Sequence, residues 1–93
     1  MDKKEAQLKL GEVLRTYRAR EYSDLRDLIG SPNIFEVKGV SGVRYQLEVQ
    51  AFWDDKPDNN IRVIVSIDDG GLRAFYPITE DFIMSPSGAF VGG

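Results

Sequence analysis

The run "VRYQLEVQAFW" at residues 43–53, followed across "DDKPDNN" (54–60) by "IRVIVSI" (61–67), decides the fold. Apolar residues fall at every second position: Val43, Tyr45, Leu47, Val49, Ala51 and Trp53, then Ile61, Val63, Val65 and Ile67. A period of two marks strands with one buried face. If Trp53 pairs with Ile61 across the loop, Ala51 meets Val63, Val49 meets Val65 and Leu47 meets Ile67. A slip of one residue would turn this whole apolar set to solvent, so the pattern specifies the register.

Working outward, "DDGG" (68–71) predicts a two-residue hairpin centred on Asp69-Gly70. It pairs Ile67 with Leu72, Val65 with Ala74 and Val63 with Tyr76. On the other side, "FEV" (35–37) leads through the loop "KGVSG" (38–42) into the central strand and sets Glu36 opposite Arg44. At the far end, "DFIMSPSGAFVGG" (81–93) reads as two short strands around the turn Pro86-Ser87-Gly88.

Upstream the period lengthens. In "DKKEAQLKLGEVLRTYRAR" (2–20), Ala6, Leu10, Val13, Leu14 and Tyr17 share one helical face, and Asp2 with Glu5 has capping-box spacing. In "YSDLRDLIGSP" (22–32), Ser23 is the expected N-cap of a short second helix. Leu25, Leu28 and Ile29 face inward, and Gly30 and Pro32 stop it. The expectation is one α+β domain over residues 1–93: two helices in 1–30, packed on one face of an antiparallel β-meander of four to six strands in 34–93.

Composition narrows the chemistry. The chain has 93 residues, no Cys and no His, so thiolate or imidazole catalysis and an ordinary zinc site are excluded. Net charge is −3, and residues 31–93 carry five basic groups against nine acidic ones, which argues against nucleic acid as a partner. Apolar runs are too short to span a bilayer, so no membrane is expected. A first segment with charges throughout predicts a cytoplasmic protein, and no cofactor is expected.

Two aspartate doublets, Asp54-Asp55 and Asp68-Asp69, raise the question of a shared site. The strand between them separates its ends by about 20 Å, so they are not one site. Asp68-Asp69 reads as turn chemistry. The returning strand is expected to bring Glu80 and Asp81 toward Asp54, Asp55 and Asp58. That acidic pole could meet a basic protein, or hold a hard cation such as calcium, although Lys56-Pro57 interrupts the ligand spacing. Paired carboxylates could also serve as acid and base, given a cleft that desolvates one of them.

The face away from the helices is expected to carry Arg44, Gln46, Glu48, Gln50, Phe52, Arg62, Ile64, Ser66, Arg73 and Phe75. Phe52, Ile64 and Phe75 cluster there with Arg62 and Arg73 beside them, a composition that protein interfaces use. The bland alternative is that Phe90 folds over the cluster or that the pairs merely stabilise the sheet.

The segments "QAFWDDKP" (50–57), "SIDDGGLRAFYPIT" (66–79) and "DFIMSPSGAFVG" (81–92) resemble a family of small uncharacterised bacterial proteins over roughly residues 20–93. That resemblance implies no activity, ligand or site residue. A small acidic α+β domain is also similar in general aspect to bacterial immunity proteins and antitoxins, an analogy of fold and charge alone. The expected function is therefore non-catalytic protein binding, through the acidic loop or the outer face, with a homodimer through that face as one form. Cation binding or a small carboxylate-dependent enzyme at residues 54–60 and 80–81 is the alternative.

Overall fold

A computed structural model describes residues 3–70 and 77–92. Helix α1 (Lys3–Arg18) and the single-turn α2 (Tyr22–Arg26) precede five antiparallel strands: β1 (Asn33–Lys38), β2 (Arg44–Trp53), β3 (Ile61–Asp68), β4 (Ile78–Met84) and β5 (Phe90–Val91). The sheet order is β1-β2-β3-β4-β5, a meander. Among the described residues, no helix is long and apolar enough to cross a membrane.

The central pairing follows the hydrophobic alternation. Leu47 lies opposite Ile67, Val49 opposite Val65, Ala51 opposite Val63 and Trp53 opposite Ile61. Leu47, Val49, Ile61, Val63, Val65 and Ile67 are completely buried. Each such side chain contributes about 1.5–3 kcal/mol relative to exposure. Ala6, Leu10, Leu14 and Tyr17 of α1 complete the core above the sheet.

Three local expectations are corrected. The N-cap of α2 is Glu21, not Ser23: its extended backbone (φ −76°, ψ 157°) starts the helix at Tyr22. That earlier start half-buries Tyr22, whose hydroxyl donates to the Asn59 carbonyl oxygen at 2.6 Å. Next, Glu36 lies opposite Gln46, and it is Lys38 that faces Arg44. Beyond the Lys38–Arg44 pair, the Gly39 N–H donates to the Val43 carbonyl at 2.8 Å and closes a tight turn with Gly42 at φ 90°.

The third correction is the largest. Ile67 pairs with Ile78, Val65 with Glu80, Val63 with Phe82 and Ile61 with Met84, in place of the expected pairs of Ile67, Val65 and Val63 with Leu72, Ala74 and Tyr76. The Asp68 carboxylate does cap a turn there, accepting the Gly70 N–H at 2.8 Å, and Gly70 has φ 82°. Phe82 and Met84, only 8% and 3% exposed, bring more apolar surface to β3 than a two-residue hairpin preference can offset. The expected strand 72–76 lies outside the described residues.

Glu5 ties α1 to the β1–β2 hairpin. Its carboxylate accepts the Ser41 hydroxyl at 2.6 Å, the Ser41 N–H at 3.1 Å and the buried Tyr45 hydroxyl at 2.7 Å. These bonds, the Ser41 hydroxyl first, hold its pKa below the ordinary value of 4.5. A carboxylate whose folded pKa is depressed adds stability that is fully present above the unfolded pKa and lost as pH falls through the folded one. Glu5→Gln should therefore flatten the acid limb of a stability-against-pH curve below about pH 4.5. Thermal unfolding across pH 3 to 7 checks this, and a variant curve parallel to wild type would contradict it.

Candidate functional site

The loop between β2 and β3 holds the first aspartate doublet. Its ends are closed by the Asp54 N–H donating to the Asn60 carbonyl at 2.8 Å. The Asp55 carboxylate accepts the Lys56 N–H at 2.8 Å and the Asn59 side-chain amide at 2.6 Å. The Lys56 N–H is the main reason the Asp55 pKa lies below the usual aspartate value. Asp58 occupies the left-handed region at φ 64°, a conformation that aspartate tolerates. This is the chemistry of a well-formed turn.

Arg62, at the start of β3, sits between two further acids. Its Nε donates to Asp54 at 2.9 Å, and its Nη1 donates to Asp81 on β4. Both carboxylates, Asp54 first, raise the guanidinium pKa further above its ordinary value. Asp81 lies opposite Ile64, whereas Glu80 lies opposite Val65 and so points to the other face of the sheet. Of the expected gathering of Asp54, Asp55, Asp58, Glu80 and Asp81, Asp54 and Asp81 do meet, through Arg62, whereas Glu80 is turned to the other face because it pairs with Val65. Among the described residues, no three acidic side chains are grouped to hold a metal ion. The Glu5 and Asp55 carboxylates both have lowered pKa values, opposite to what a general acid needs.

The outer face is different. Strand pairing places Phe52, Arg62, Ile83 and Val91 in one row across four strands. The next row holds Gln50, Ile64 and Asp81, and the row after it Ile34, Glu48, Ser66 and Thr79. Phe52 is 47% exposed and Val91 39%, while Ile64 and Ile83 are half-buried. Arg62 stands in the middle of this apolar group, its guanidinium fixed by Asp54 and Asp81. A side chain already held in place loses less rotamer entropy on binding.

Of the expected cluster, Phe52, Arg62 and Ile64 lie together as anticipated, and Phe52 is directly opposite Arg62. Ile64 faces Asp81, not Phe75, and Phe75 and Arg73 fall outside the described residues. Ile83 and Val91 escaped the sequence reading because their face depends on the register of β4. Phe90 does not cover the cluster. It pairs with Met84 on the inner face, meets Phe82 edge-on at 5.9 Å, and lies under the Arg18 guanidinium at 4.4 Å.

No family model, curated protein or solved structure matches this chain.

Proposed function

We propose that this chain is a non-catalytic protein-binding module whose contact surface is the outer face of the sheet, around Phe52, Arg62, Ile64, Ile83 and Val91. The observation that carries this reading is the row Phe52, Arg62, Ile83 and Val91, whose two end residues are exposed while Ile83 and the neighbouring Ile64 are half-buried between them. Exposed aromatic and aliphatic groups around a fixed arginine have the composition of interface hot spots. A basic partner drawn to Asp54, Asp55 and Asp58 is the weaker reading, since Arg62 neutralises Asp54 and the turn uses Asp55.

Affinity capture from the native host tests the proposal with three parallel baits: wild type, Phe52→Gln, and the double variant Asp55→Asn/Asp58→Asn. Asparagine keeps the Asp55 acceptor and tolerates the positive φ at position 58. A protein captured by wild type and the double variant but lost from Phe52→Gln is the expected result. Loss from the double variant alone would move the contact to the acidic loop.

A further inference from the structure

Among the described residues, β1 is an edge strand of the sheet. The Gly39 N–H to Val43 carbonyl bond fixes which of its backbone groups are used. Bonded and non-bonded pairs alternate along an antiparallel ladder, so Phe35 and Val37 bond to β2, while the N–H and C=O groups of Ile34, Glu36 and Lys38 point away from the sheet. An open row of this kind is a template for another strand. The inward side chains Phe35 and Val37 are only half-buried, because α1 runs over β3 and β4. On the outer side Lys38 faces Arg44, two like charges, and among the described residues neither forms an ion pair.

We infer that the β1 edge is a self-association site, at which β1 of a second copy of this chain adds antiparallel to form a continuous sheet about a two-fold axis. Charge selects the register. With Val37 facing Val37 across the axis, Glu36 of each copy lies opposite Lys38 of the other, and about four backbone hydrogen bonds close the seam. The registers one step to either side put Glu36 against Glu36 or Lys38 against Lys38, which cross-strand repulsion disfavours. In the selected register each Glu36 also supplies the negative charge that the Lys38–Arg44 pair lacks in its own chain. This inference uses the sheet edge and stands independently of the outer-face reading.

Sedimentation velocity on the whole protein, from about 1 μM to 1 mM, tests it. Wild type is expected to shift from monomer to dimer over that range. Glu36→Lys and Lys38→Glu should each weaken dimerisation about tenfold or more, because each turns two attractive pairs into two repulsive ones. The double exchange Glu36→Lys/Lys38→Glu should restore it. Lys38→Glu also places an acid opposite Arg44 within its own chain, so its unfolding midpoint should not fall and misfolding cannot mimic the effect. A wild type that stays monomeric throughout, single variants that still dimerise, or a double exchange that fails to rescue would each overturn the inference. Phe52→Gln should leave the dimer intact. If it alone abolishes self-association, the copies meet through the outer face instead and the edge is not the site.

Discussion

Phe82→Ala is expected to lower the unfolding free energy by about 3–5 kcal/mol, a large part of the 5–15 kcal/mol that a domain usually has. Phe82 is 8% exposed, lies opposite Val63 and meets Phe90 edge-on. Its removal leaves a cavity against the buried centre of β3, and the ring contact is lost with it. Urea unfolding followed by the fluorescence of Trp53 gives the number, with an unchanged slope indicating that the native packing alone has been altered. The substitution is diagnostic of topology. Had Tyr76 been the neighbour of Val63, Phe82 would be an end residue of the sheet and its loss would cost under about 1 kcal/mol.

The second large effect falls on association. Phe52→Gln should weaken the complex with a captured partner by about thirtyfold, the loss of roughly 2 kcal/mol that truncating a hot-spot aromatic causes. Glutamine avoids setting a second cation opposite Arg62, so a change in affinity reports lost apolar contact and not a new repulsion. Phe52 is 47% exposed, so its removal leaves the fold almost untouched, and the unfolding midpoint of the variant serves as the control. Isothermal titration with the purified partner measures both affinities.

How much of this was legible beforehand depended on how many independent signals agreed at each place. For β2 and β3, alternation in both strands and complementarity across the loop pointed to one register, which the structure adopts. The C-terminal hairpin was readable from its turn residues Pro86-Ser87-Gly88, and two short strands do flank that turn, with Met84 opposite Phe90. Between Asp68 and Ile78 the signals conflicted. A strong local turn at Asp69-Gly70 pointed to an immediate return strand, while burial of Phe82 and Met84 required β4 to pair with β3. Tertiary burial outweighs a turn preference, and a single sequence offers no way to weigh one against the other. The same conflict governed the site. Phe52, Arg62 and Ile64 were readable because the β2–β3 register was readable. Ile83, Val91 and the pairing of Asp81 with Ile64 were not, because each follows from β4. The anchoring of Glu5 to Ser41 and Tyr45 joins residues about forty apart, and no local pattern announces it.

The proposed binding through an apolar face and the weaker reading through the acidic loop are separated by ionic strength. A contact built on Phe52, Ile64, Ile83 and Val91 is weakly screened, whereas attraction to exposed carboxylates fades as the Debye length falls from about 10 Å at 0.1 M salt toward 3 Å at 1 M. The decisive measurement is the affinity of the captured partner for wild type and for Phe52→Gln, each at about 0.1 M and 0.5 M salt. The expected affinity is nearly constant with salt and reduced about thirtyfold by the substitution at both concentrations. An affinity that collapses with salt and ignores Phe52→Gln would contradict it.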